Sequence, residues 1–213
     1  MTATAEPSAP VTEITTVEEL RALVGEPLPR VRDKVLTELV EDHVAWLGAS
    51  PFCLVSTSDA SGRCDVSPKG DPAGIGFVVD STTVAIPERP GNRRVDGFLN
   101  VLENPHVGLL FIVPGRGDTL RINGRARIVA DAPYFDDLTV KGHRPILALE
   151  VAIEEVFFHC AKAFLRSRLW NQDSWHPEVL ATRAEIAQRL ERPEESLGAL
   201  EAYYGDAYSK NLY

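Results

Sequence analysis

Three short segments hold residues whose types and spacing could do chemistry. In residues 86–105, IPERPGNRRVDGFLNVLENP, the side chains Asn92, Arg93 and Arg94 follow Gly91. Val95, Phe98, Leu99 and Leu102 fall at helical spacing and Asn104-Pro105 supplies a stop, so Asn92 reads as the N-cap of a helix. Two adjacent arginines then stand in the first helical turn, where the dipole and the free N–H groups favour negative charge. Such a start suits an anion, a phosphate above all. A solvated helix end that tolerates its charges fits the local pattern equally well.

The second segment is Asp65-Val66-Ser67-Pro68-Lys69-Gly70-Asp71. In an extended chain Asp65, Ser67 and Lys69 point one way, Val66 and Pro68 the other. Pro68 has no N–H for a ladder, so this strand should lie at a sheet edge or run out into a loop. Its polar face could meet a flat polar ligand; a decorated edge strand is the simpler reading. In the third segment, residues 119–128, Leu120, Ile122, Ala126 and Ile128 share one face and Arg121, Asn123, Arg125 and Arg127 the other. Glu150 and Glu154 alternate similarly further on, so cross-strand Arg–Glu pairs account for Arg125 and Arg127. Arg121 and Asn123, nearer the turn, are the better ligand candidates.

These segments must be positioned by a mainly β framework. Residues 52–58 read as a strand, followed by a turn at Asp59-Ala60-Ser61-Gly62 and a return strand at 63–67. Residues 77–79 and 82–86 form another pair. Residues 107–113, VGLLFIV, are apolar on both faces and so form a central strand; residues 119–129 and 146–158 are long alternating strands. Some seven strands with few helices between them predict an antiparallel barrel, since a parallel sheet needs a helix between most strands. Residues 16–48 read as helical on the spacing of Leu20, Leu23, Val31, Val35, Leu39, Val44 and Leu47, and 160–169, 177–190 and 193–208 as three further helices. Residues 1–15 are small, polar and proline-containing, a tail expected to be disordered.

Composition removes several classes of function. The 213 residues carry 22 Lys and Arg against 31 Asp and Glu, a net charge of −9 that argues against bulk nucleic-acid binding. There is no apolar run long enough to cross a membrane, and residues 1–15 lack the basic start and apolar block of a secretory signal. Cys53, Cys64 and Cys160 cannot all pair and show no metal-ligand spacing, and the five histidines are scattered. This is the pattern of a reducing, cytoplasmic protein without a structural metal.

The order SPKGDP … AIPERPGNRRVDGFLNVLENPHVGLLFIVPG … LRINGRARI … FFHCAKAFLRSRLW resembles the pyridoxamine 5′-phosphate oxidase-like family of split-barrel flavoproteins, most of all its less characterised bacterial branch, over residues 35–170. The resemblance implies a homodimer of split barrels with FMN in clefts at the subunit interface. By position, Arg93 and Arg94 fall where that family puts its basic residues for the FMN phosphate, with Asn92 beside them. Asp65, Val66, Ser67, Pro68 and Lys69 fall on the strand laid along the ring and ribityl chain. Lys69 is implied near the pyrimidine end, where a cation favours the charge of the reduced ring. Residues 119–123, with Arg121 and Asn123, match a strand that faces the flavin from the partner subunit. Lys162, Arg166 and Trp170 belong to a family-typical helix that either closes the site or packs on the barrel with its basic heads exposed.

The chain ends EAYYGDAYSKNLY, without the arginine–histidine motif that holds the oxidase's substrate, which implies that pyridoxamine 5′-phosphate is a poor substrate. Other branches of the barrel bind haem or a deazaflavin; His106 and His159 are the haem-ligand candidates. The leading expectation is an FMN-dependent oxidoreductase acting on a small organic molecule, with no catalytic side chain identified. The alternatives are a protein that stores or senses flavin without turnover, and a deazaflavin-dependent reductase. The domain reading is a tail (1–15), a split-barrel domain with N-terminal helices (16–170) and a C-terminal helical extension packed on the barrel (171–213).

Overall fold

Seven antiparallel strands make one sheet in the order β2-β1-β5-β6-β7-β4-β3. They are β1 (Phe52–Ser58), β2 (Cys64–Gly70), β3 (Phe77–Asp80), β4 (Thr83–Glu88), β5 (His106–Ile112), β6 (Thr119–Val129) and β7 (Leu147–His159). The computed structural model describes residues 11–206, 208–210 and 212. Of the tail expected at 1–15, residues 1–10 therefore lie outside the described residues. The chain divides into two compact units, one up to Val35 and one from Leu36 onward. The first unit holds α1 (Val17–Val24) and the single turn α2 (Pro29–Arg32), neither of which buries a residue. Thr16 and Glu19 close α1 with a reciprocal capping box.

The helix expected over 16–48 is broken in three, first at Gly25 (φ 76°) and then, beyond α2, for a tertiary cause. Leu36 donates its N–H to the Val156 carbonyl at 3.1 Å and accepts from the Val156 N–H at 2.8 Å, while the Leu39 N–H donates to the Ser81 carbonyl at 2.7 Å. These bonds to the sheet replace the intrahelical ones, and α3 (Glu41–Ala49) starts only beyond them. At the C-terminal end the helices are also shorter than their apolar spacing suggested. They are α5 (Lys162–Ser167), α6 (Arg183–Leu190) and α7 (Leu197–Tyr203). Thr182 and Ser196 cap the last two through their hydroxyls, so these caps set the starts rather than Pro177 or Pro193.

The sheet is a split barrel whose inner face carries the core. Val55, Ile86, Leu109, Phe111, Leu120, Ile122, Leu149, Val151 and Val156 from five strands pack together with Trp46 and Leu47 of α3. β5 lies between β1 and β6, the interior place that its two apolar faces required. β2 is an edge strand, as Pro68 demanded, and runs through that proline to Gly70 opposite Phe52. The β1–β2 turn closes on Asp59. Its carboxylate accepts from Ser61 N–H, Ser61 Oγ, Arg63 N–H and Arg63 Nε at 2.6–2.9 Å, and Gly62 supplies the left-handed residue (φ 86°). These bonds, with Ser61's hydroxyl first, hold the Asp59 carboxyl well below the usual carboxylate range. A register shift between Asn123 and Gly124 leaves Glu154 outside the β6–β7 ladder. The pair expected for Arg127 forms, with Glu150 at 2.7 Å, but Arg125 faces Ala152 on β7 and bonds His106 Nε2 on β5 at 3.0 Å instead.

Two buried polar devices hold the framework. Arg89, just past β4, pairs with Asp71, just past β2, at 2.6 Å, the side chains being 12% and 4% exposed. The same guanidinium donates to the carbonyls of Leu138 (2.7 Å) and His143 (3.3 Å). One side chain thus fastens three loops. The other device is His43 in the first turn of α3. Its Nδ1 accepts from the Val40 N–H at 3.3 Å and its ring lies 5.2 Å from Phe158, with the residue 4% exposed. Accepting at Nδ1 requires the neutral ring. Burial pushes the His43 pKa below its ordinary value, against a smaller opposing effect of Asp42.

Two outcomes follow from these devices. Breaking the buried pair leaves an uncompensated charge, so Asp71→Ala should cost about 3–5 kcal/mol in urea unfolding. For His43 the folded-state pKa lies below the unfolded one, so its contribution is complete above about pH 6.5 and is lost as the pH falls below that value. Thermal melts of the wild type should therefore decline from about pH 7 to pH 5, and His43→Asn, which keeps an acceptor without titrating there, should flatten the decline.

Candidate functional site

The face of β2 that the alternation singled out turns inward. Asp65, Ser67 and Lys69 are half-buried, while Val66 and Pro68 are exposed on the opposite face. Opposite this strand stand β4 and α4 (Asp96–Glu103), and between them lies a cavity. Val55, Ile86, Phe98 and Leu149 give it an apolar floor; Thr57, Asp65, Ser67, Lys69, Glu88, Asn92, Arg94 and Asp96 give it a polar wall. Five of the residues proposed from sequence thus meet in one place, although more than twenty positions separate β2 from the Asn92–Arg94 loop.

The loop does not have the expected form. Asn92 is not the N-cap; its Oδ1 accepts from the Arg94 N–H at 3.0 Å in a tight turn, and the helix begins four residues later at Asp96. Arg93 and Arg94 therefore precede the helix instead of forming its first turn. The acid Asp96 occupies that turn, where the dipole favours it. This arrangement strains the backbone. Arg93 (φ 62°) and Val95 (φ 50°) are both left-handed, and a β-branched residue such as Val95 is rarely found there. Each such residue costs on the order of 1–3 kcal/mol, and such strain clusters at functional sites. Val95 also leaves α4 without a side-chain cap, so its N-terminus opens onto the cavity.

Charge in the cavity is mostly paired. Lys69 Nζ is bonded to Glu88 Oε2, and Arg94 pairs with Asp96 at 2.7 Å in an exposed, weak contact. Ser67 Oγ donates to Asp65 Oδ2 at 2.9 Å, and Asn100 Nδ2 donates to Thr57 Oγ1 at 3.0 Å. Arg93 is exposed and makes no hydrogen bond or ion pair among the described residues. Gly97 lets α4 approach this wall: a Cβ there would stand 3.1 Å from Asp65 Oδ2.

The remaining candidates lie elsewhere on the chain. Arg121 and Asn123 line a groove with Gly108, His159, Cys160 and Phe164. Arg121 reaches Asn123 Oδ1 and His159 Nε2, both at 3.3 Å, and Asn123 donates to Glu155 at 2.6 Å. Lys162 and Arg166 are exposed on α5. Trp170 donates its indole N–H to the Arg116 carbonyl at 2.6 Å and lies 5.8 Å from Phe164. Within one chain these side chains do not join the β2–α4 cavity. Glu88, Asp96 and Thr57 were missed by the sequence reading. Asp96 had a local signal, an acid beside two arginines at a helix start. Glu88 had none, because its partner is on a strand five places away in the sheet.

The residues lining the cavity include neither histidine nor cysteine, and the Ser67 hydroxyl is bonded to the Asp65 carboxylate. No group of three His, Cys, Asp or Glu side chains among the described residues could hold a metal. The arrangement combines an apolar floor, a mixed-charge wall and a strained basic loop at an open helix end.

Solved structures with a similar sheet include HupZ of Group A Streptococcus (18% identity, 56% of this chain and 93% of that one, TM-score 0.46). Another is a candidate pyridoxamine 5′-phosphate oxidase of Lactobacillus delbrueckii (24%, 57% and 95%, TM-score 0.45). A third is an FMN-binding protein of Syntrophomonas wolfei (12%, 55% and 83%, TM-score 0.43). No curated protein matches the sequence. The sequence model of pyridoxamine 5′-phosphate oxidase matches residues 39–160, a span that holds all seven strands, the strained loop and the cavity. This chain therefore belongs to the pyridoxamine 5′-phosphate oxidase family.

Proposed function

We propose that this chain is a flavoprotein that binds FMN in the cavity between β2 and α4 and acts as an oxidoreductase on a small organic molecule. The observation that carries the reading is the meeting of β2's polar face with a strained basic loop at an uncapped helix end. The residues fit the group. Arg93, exposed and without a side-chain partner among the described residues, and Arg94, paired there with the exposed carboxylate of Asp96, are available to take a phosphate by charge-assisted hydrogen bonds. Asp65, Ser67 and Asn92 offer donors and acceptors for the polar edge of a ring and its chain, and Phe98 with Ile86 gives apolar contact. FMN, when bound, supplies the electron or hydride transfer. The chain's residues supply binding, orientation and charge.

In this reading the site is completed by a second copy. Arg121 and Asn123, with Lys162, Arg166 and Trp170 nearby in sequence or space, reach the flavin from the partner. A two-fold dimer is the simplest closed arrangement that lets each chain supply both halves. The engagement of Lys69 with Glu88 and of Ser67 with Asp65 favours one alternative, a flavin carrier or sensor without turnover. Reduction of the bound flavin by NADH or NADPH, followed by reoxidation by an acceptor, separates the two.

The decisive experiment compares FMN with riboflavin, which has the same ring and no phosphate. Each charge-assisted bond contributes roughly 1.5–3 kcal/mol, so Arg93→Ala and Arg94→Ala should each weaken FMN binding about 10- to 100-fold in a fluorescence titration. Riboflavin affinity should hardly change. Equal weakening of both flavins would mean that the arginines shape the loop and hold no phosphate.

A further inference from the structure

The Lys69–Glu88 pair is formed by the fold alone. β2 is the first strand of the sheet order and β4 the sixth, so no ladder brings them together. Both side chains are shielded, at 20% and 18% exposure, and both line the cavity. Lys69 Nζ also lies 5.3 Å from the centre of the Phe98 ring, so the ammonium is held by a carboxylate on one side and an aromatic face on the other. Shielding two charges is costly, and an ion pair of this kind is often no better for stability than apolar residues of the same volume. Stability is therefore a weak reason for the pair. Its place in the wall of a ligand cavity suggests an electrostatic one.

We infer that Glu88 is a positioning residue that holds Lys69 and offsets its charge, and so sets how strongly the site favours the reduced over the oxidised form of a bound flavin. The inference rests on the flavin reading of the cavity. A lone ammonium beside the ring would strongly favour whichever form carries negative charge. A paired ammonium acts as a dipole, whose field falls off faster with distance than that of a single charge. The surrounding groups do not restore the imbalance. Arg94 is paired with Asp96 at the solvent edge, and Asp65 adds a further carboxylate, so the wall carries one more acid than base. Neutralising Glu88 would bring it to balance.

The test uses the full chain loaded with FMN and reads the midpoint potential of the bound flavin by equilibration with a reference dye. Glu88→Gln keeps the shape and removes the charge. It should shift the affinity ratio toward reduced flavin on the order of tenfold, which raises the potential by about 30 mV for a two-electron couple. Lys69→Met should lower the potential. In the Lys69→Met background Glu88→Gln should still raise the potential, because the fields of the two charges add, and any difference from the shift in the wild type reads how far Glu88 acts by holding Lys69 in place. A merely structural role would change melting temperature, or the binding of both redox forms alike, and leave the potential unmoved; that result overturns the inference while leaving FMN binding standing. Failure of the wild-type chain to bind FMN overturns the flavin reading and the inference with it.

Discussion

A seven-stranded sheet with one apolar face must bury that face, and here it does so by curling around its own side chains. The constraint is set by Phe111, Leu120, Ile122, Val151 and Val156, which are almost fully buried and come from three adjacent strands. Water is excluded from this interior only if β4 and β1 close over it from opposite sides. The closure is incomplete, because β2 and β4 share no ladder. The cavity is the gap that remains, and side chains of α3 and α4 fill the rest of the interior. The site is thus a by-product of how the barrel is split.

The position of α4 ties the core to the chemistry. Phe98 and Val101 belong to the hydrophobic interior, while Asp96 and Gly97, one or two residues earlier, line the cavity. Anchoring those two apolar side chains fixes where the helix starts. The chain from β4 must then cover the remaining distance in a few residues. Left-handed geometry at Arg93 and Val95 is the local consequence, and the core is what sustains it. Arg89 steadies the other end of the same loop through Asp71 and two carbonyls, so the basic segment is suspended between a buried ion pair and a buried aromatic ring. The ion pair lies outside the cavity, while the Phe98 ring forms part of its floor.

Much of this was legible in the chain itself. The alternation of residues 119–129 gave β6 its full length, because its inner face is an unbroken apolar series. Pro68 marked β2 as an edge through a missing donor, and Gly62 marked the β1–β2 turn through its left-handed backbone. The two candidate segments, Asp65–Lys69 and Asn92–Arg94, could be chosen because strand alternation and a basic pair at a helix start are local features. What local features mis-stated is also instructive. The apolar spacing of residues 16–48 suited a helix, yet Leu36 and Leu39 bond the sheet, since a backbone hydrogen bond has equal intrinsic claim on a strand edge. Asn92 has the chemistry of an N-cap, but its carboxamide serves a turn one step earlier.

The sequence by itself determined the period of each strand, the edge place of β2 and which side chains share its polar face, because these depend on backbone donors and on a two-residue repeat. Tertiary structure alone decided that β2 faces β4, that Lys69 meets Glu88, and that Arg89 joins loops whose other partners are about fifty residues away. It also decided that Arg121 and Asn123 open onto a different surface from Lys69 within the same chain. These are contacts between side chains brought close by curvature. Curvature depends on the packing of the whole interior, which no short window of residues contains.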